Sequence, residues 1–92
     1  MYELFDACKT GDLKKAESLI ENGADVNVKS IYVYTPLHLA CKNNHVDIVK
    51  LLIEKNVDLN SKNCYGETPL HIACMYDNVD IVKLLIEKNA DL

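Results

Sequence analysis

The stretch Thr35-Pro36-Leu37-His38-Leu39-Ala40-Cys41-Lys42-Asn43-Asn44-His45-Val46-Asp47-Ile48-Val49-Lys50-Leu51-Leu52-Ile53-Glu54-Lys55-Asn56 decides how the chain reads, because most of it returns 33 residues later. Thr35-Pro36-Leu37-His38 comes back as Thr68-Pro69-Leu70-His71, and Val46 through Asn56 comes back residue for residue as Val79 through Asn89. A weaker copy lies one period upstream. Ala7-Cys8-Lys9 stands under Ala40-Cys41-Lys42, and Leu19-Ile20-Glu21 stands under Leu52-Ile53-Glu54. A fixed period of this size marks a stack of supersecondary units, none of which buries its apolar face alone. Function is then to be sought on the surface of the stack.

Composition narrows the classes. A chain of 92 residues allows one small domain, and an elongated stack buries less than a globule because each unit touches only its neighbours. The net charge is −4 and there is no arginine, which argues against nucleic acid, since phosphate binding wants a basic stripe and bidentate Arg. No apolar stretch of about 18 residues is present, so no membrane insertion is expected. Met1-Tyr2-Glu3-Leu4-Phe5-Asp6 lacks the basic and apolar regions of a signal peptide. The expected setting is intracellular, cytoplasmic with the nucleus allowed.

Three of the four cysteines, Cys8, Cys41 and Cys74, follow the period. Stacked helices lie about 8–10 Å apart, too far for a disulfide between equivalent positions. These three are expected to be buried as small hydrophobes. Cys64 falls outside the ladder, in a turn segment, and is expected to be exposed.

In chain order, residues 2–10 read as a short helix and Leu13–Glu21 as a second, with Leu13, Ala16, Leu19 and Ile20 inward. Thr35 and Thr68 are N-caps, each followed by Pro at the first helical position. Those helices are expected to run to about Asn43 and Tyr76. Second helices follow from about Val46 to Lys55 and Val79 to Lys88. They are so apolar that they must be covered on several sides, leaving Asp47, Lys50, Glu54 and Lys55 as the polar stripe of the first. Gly11, Asn44 and Asp77 align at the inner turns, and Gly23, Asn56 and Asn89 at the helix ends. All are residue types that tolerate positive φ.

With this period, paired helices, Thr-Pro-Leu-His-(Leu/Ile)-Ala-Cys blocks and an Asn/Gly-x-Asp closing loop, the chain resembles the ankyrin repeat family along essentially its whole length. The resemblance implies an all-α repeat solenoid of antiparallel helix pairs joined by β-hairpin-like turns. It divides the single domain 1–92 into an N-terminal capping repeat 1–29, a second repeat 30–62 and a third, truncated repeat 63–92. It also implies protein–protein binding along a concave face made of hairpin tips and first helices. Three departures bear on this. Tyr2-Glu3-Leu4-Phe5 replaces Thr-Pro-Leu-His in the first unit, and Asp6 sits where Leu39 and Ile72 stand, which suits a cap facing solvent. Val33 occupies a place filled by Gly66 one unit on, so the tip at 31–34 is expected to be distorted. The last helix copies an internal one, so an apolar flank at Ile81 and Leu84 is expected to face water or another chain.

His38, His71 and His45 are the only residues that tempt a catalytic reading, and no nucleophile recurs beside them. The resemblance assigns His38 and His71 to bonding the hydroxyl and backbone of the preceding turn. His45 is expected in the polar seam between repeats. Asp25, Asp58 and Asp91 are expected to close loops, without the pattern of a calcium loop. No catalytic residue, metal or cofactor is expected. The candidate protein-binding residues are Tyr32, Tyr34, Lys42, Asn43, Tyr65, Glu67, Met75 and Tyr76, positions the repeat framework does not explain; for Tyr32 and Tyr65 the alternative is packing on neighbouring tips. Tyr offers large contact area and a polar handle at low entropy cost. The partner is a protein of unknown identity, with self-association through the uncapped flank as a further expectation. The alternative function is a regulatory or targeting segment of a larger protein whose enzyme or channel domain lies beyond residue 92. If the flank is apolar, appending a polar-faced capping repeat after Leu92 is expected to raise the melting midpoint by several degrees, about 1 kcal/mol being worth roughly 4–8 °C in a domain of this size. An unchanged midpoint, with a clean monomer in both versions at high concentration, counts against it.

Overall fold

The computed structural model describes residues 3–31, 34–88 and 90. The expectations placed on Tyr32, Val33, Asn89 and Asp91 lie outside the described residues. Six helices follow in order: α1 (Glu3–Thr10), α2 (Leu13–Glu21), α3 (Pro36–Lys42), α4 (Val46–Glu54), α5 (Pro69–Met75) and α6 (Val79–Glu87). No strand occurs among the described residues.

Local chemistry sets these limits. The hydroxyls of Thr35 and Thr68 accept from the backbone N–H of His38 and His71, and Pro36 and Pro69 open α3 and α5. Asp12 caps α2 by accepting from the Lys15 N–H at 3.1 Å. His45 and Asn78 hold the same place before α4 and α6 but make no side-chain cap bond. Helix ends take the left-handed conformation at Gly11, Gly23, Asn44, Asn56 and Asp77, with φ between +55° and +97°. At the end of α2, Gly23 N–H donates to the Ile20 carbonyl and Ala24 N–H to that of Leu19, both at 3.0 Å. Asp25 and Asp58 close the following loops by accepting from the N–H of Asn27 and Asn60, each at 2.9 Å.

A backbone bond across its ends pinches each outer turn. Ser30 N–H donates to the Tyr34 carbonyl at 2.8 Å, and Asn63 N–H to the Glu67 carbonyl at 2.9 Å. The first helices pack in a row, α1 on α3 on α5, and the second helices form a parallel row, α2 on α4 on α6. One core runs between the rows from Leu4 and Ala16 through Leu37, Ile48 and Leu52 to Ile81 and Leu85. Asp6 is exposed.

Helices α4 and α6 share the sequence Val-Asp-Ile-Val-Lys-Leu-Leu-Ile-Glu and differ in what covers them. Val49 is fully buried and its counterpart Val82 only half so; Val46 and Ile53 are half-buried, whereas Val79 is 56% and Ile86 46% exposed. The apolar flank therefore exists, but not where Ile81 was expected to supply it. Ile81 is fully buried against the core, and Leu84 is half-buried. A second correction falls on the cysteine ladder. Cys8 and Cys41 are buried and Cys64 is exposed, but Cys74 is exposed too. The pair α5–α6 covers Cys41, and no described helix pair follows to cover Cys74.

Burial pushes the Cys8 thiol up to about 12 and raises that of Cys41 as well, so neither supplies thiolate near neutral pH. A thiol reagent applied to the folded protein is expected to modify Cys64 and Cys74 first and Cys8 and Cys41 only on unfolding. Mass mapping of early adducts checks this; uniform labelling of all four would contradict the packing.

Candidate functional site

The three histidines are hydrogen-bonded into the turns and seams of the stack. Thr35 N–H donates to His38 Nδ1 at 3.3 Å, and the Thr35 hydroxyl lies 2.8 Å from the same nitrogen. A backbone N–H only donates, so Nδ1 is unprotonated and Nε2 carries the hydrogen. That Nε2–H donates to the Glu67 carbonyl of the next outer turn at 2.8 Å. The local half of this arrangement matches what the resemblance implied; the bond across to Glu67 was not foreseen. His71 repeats the local half with Thr68, at 3.0 Å to the N–H and 2.9 Å to the hydroxyl, and is exposed.

His45 lies in the seam, as expected. Its Nε2–H donates to the Lys9 carbonyl at 3.0 Å, and its ring comes so close to Gly11 that a Cβ there would lie 2.6 Å away. Asn78 is the counterpart of His45 one unit on, and its Nδ2 donates to the Cys41 carbonyl. The spare side chains at 45 and 78 thus reach back to the preceding unit. Asn27 adds a tie in the other row, its Oδ1 accepting from the Asp58 N–H at 2.8 Å. No group of three or more metal-ligating side chains occurs among the described residues.

The positions outside this framework gather on the face of the first helices and outer turns. Tyr34 is half-buried, its ring edge-on to His38 with centroids 5.8 Å apart. Partial burial raises its pKa, and Glu67, Cys64, Tyr65 and Tyr76 lie near enough to raise it further through their charges. Tyr65 is 76%, Met75 59% and Tyr76 47% exposed. The Lys42 ammonium sits 5.8 Å from the centroid of the Tyr76 ring. Glu67 is held in place: Asn63 Nδ2 donates to its carboxylate at 2.9 Å, and Asn63 Oδ1 accepts from the N–H groups of Tyr65 and Glu67. Asn43 is the outlier among the candidates, its Nδ2 turned back to the Leu39 carbonyl at 2.9 Å.

Sequence reasoning missed Asn63 and Asn78. Asn at a turn start signals side-chain bonding to the following N–H groups, and the register of His45 pointed to Asn78. Two open grooves lie elsewhere, between α4 and α6, lined by Lys50, Ile53, Leu84 and Glu87 among others. They carry mixed charge and no convergent chemistry.

The chain matches the family described as ankyrin repeats (3 copies) over residues 4–92, and it belongs to that family. Ankyrin repeats are generally protein–protein interaction modules and typically catalyse nothing. No curated protein matches the chain. No helix among the described residues is long and apolar enough to cross a membrane.

His38 gives the junction between the second and third helix pairs a pH dependence. Burial, the larger influence, lowers its pKa from the usual 6.5, against the opposing pull of Glu67. As pH falls, the unfolded ring takes a proton that the folded ring refuses, so stability is complete above about pH 6.5 and declines below it. The urea midpoint is expected to fall between about pH 7 and 5.5, and the fall to shrink in His38→Gln. Equal slopes in the two proteins would exclude His38 as the group responsible.

Proposed function

We propose that this chain binds a protein partner through the face built by its first helices and outer turns. The observation that carries the reading is the group of large side chains exposed there, Tyr65, Met75 and Tyr76, which the fold does not use. Tyr34, half-buried on His38, is a pre-positioned anchor beside them. Lys42 and Glu67 supply charge, Asn43 a polar rim, and Tyr32 joins the set by its register alone. A specific interface buries about 800 Å² per partner, which three repeats supply only if most of the row takes part. Binding energy then concentrates on a few aromatic side chains near the centre.

We place the module inside the cell, in the cytoplasm, since Cys64 and Cys74 are exposed free thiols that an oxidising compartment would tend to pair. A second reading rests on Val79 and Ile86, exposed on a helix whose twin is better covered. They favour docking of a further helix pair or self-association at that flank, as in a regulatory segment of a larger protein.

Replacing Tyr34, Tyr65 and Tyr76 singly by Ala is expected to weaken capture of a partner from lysate by more than about 1 kcal/mol at one or more sites. For Tyr65 and Tyr76, the melting temperature should stay nearly unchanged. Changes at Asp47, Lys50 and Glu54 on the opposite side are expected to do little. The reverse pattern, quantified in the same capture, would move the site to the back of the stack.

A further inference from the structure

We infer that the partner segment received by this face carries a carboxylate side chain, Asp or Glu, within one or two residues of a large apolar one, the carboxylate pairing with Lys42 and the apolar group lying on Tyr65, Met75 and Tyr76. The inference rests on the binding face proposed above and adds the chemistry of what that face accepts.

The argument is one of uncompensated charge. On the back of the stack, cations and acids alternate at helical spacing: Asp47, Lys50 and Glu54 on α4, and Asp80, Lys83 and Glu87 on α6. Such spacing lets each lysine find an acid one turn away. Lys42 is exposed and has no carboxylate partner among the described residues; the Tyr76 ring is what its ammonium meets. Glu67, the acid of the outer turn on this face, is already committed to Asn63 and to the pinched turn. The ring covers one side of the ammonium and leaves its other donors to solvent. A carboxylate fills that vacancy with a charge-assisted bond, about twice as strong as a neutral one.

The occupant is more specific than any anion. A phosphate-bearing chain would bring close to two charges per group and favours several cations or an arginine fork. This face offers Lys42, with Lys9 one period away, in a protein of net charge −4 without arginine. A single carboxylate matches a single ammonium. Beside it Tyr65, Met75 and Tyr76 expose apolar area on the same side, which a hydrophilic acidic run would leave uncovered. The two features together select an acidic–apolar peptide segment.

The test is selection of random dodecapeptides displayed on phage against the immobilised full chain. Fluorescence polarisation of the best synthetic peptide follows, on the wild type and on Lys42→Glu, Tyr65→Ala and Tyr76→Ala, each checked for native helix content. The expected consensus places Asp or Glu next to or one residue from Leu, Ile, Phe or Trp. Affinity is expected to drop at least tenfold in Lys42→Glu, and partly to return when the peptide's acid is replaced by Lys. A consensus without an acid, or affinity indifferent to Lys42→Glu, overturns the inference, as does the absence of any enrichment over the bare support. Acid-free peptides that lose affinity in the tyrosine variants would leave the binding face standing while removing its acidic preference. Peptides indifferent to the tyrosine variants would remove the face itself.

Discussion

A pair of helices seven and nine residues long cannot cover its own apolar sides, and every other property of this molecule follows from that shortage. The α4 sequence is apolar at six of nine positions, and its partner α3 covers one side only. Further cover comes from the pairs before and after it in the stack. The identical α6 shows the dependence directly, because the same letters in the same helix expose Val79 and Ile86 where Val46 and Ile53 are half-covered. Burial here belongs to the neighbours as much as to the residue.

Apolar contact is non-directional and would let adjacent pairs slide. The polar ties across each junction remove that freedom, because each ends on one particular backbone group. Between the first two pairs, His45 donates to the Lys9 carbonyl and Asn27 accepts from Asp58. Between the second and third, His38 donates to the Glu67 carbonyl and Asn78 to that of Cys41. Each bond adds only about 0.5–1.5 kcal/mol net, and only at the buried Asn78–Cys41 tie would an unmatched partner carry the full cost of about 1–3 kcal/mol. Their main effect is to fix register. Since Glu67 and Tyr65 belong to the turn that Asn63 and His38 hold, the same ties position the exposed face.

The period, the Thr-Pro starts and the residues suited to positive φ at Gly11, Asn44, Asp77 and Asn56 were legible because they report local conformation, which a repeated sequence repeats. Cys74 and Ile81 were misjudged for the complementary reason. The cover over Cys74 depends on which pair follows, whereas Ile81 is buried as Ile48 is by its own and the preceding pair, and a period is silent about which case applies. At the candidate site the sequence singled out the tyrosines but not their environments. Tyr34 lies half-buried on the His38 ring, while Tyr65 stands in solvent. The setting of Lys42 over Tyr76 joins two units through side-chain reach, which no spacing rule along the chain encodes.

The approach of the His45 ring to Gly11 bears on how freely such units can be exchanged. Gly11, Asn44 and Asp77 are equivalent by register, as are His45 and Asn78. A bulky imidazole faces the residue without a side chain, and the smaller Asn78 follows the unit whose turn carries Asn44. The two positions behave as matched halves of a key, bulk on one side answered by room on the other. Repeats that look interchangeable in sequence therefore carry an address. Placing the second unit's His45 against a turn bearing Asn44 would set a ring where a side chain already stands, so the order of units is written into the seam itself.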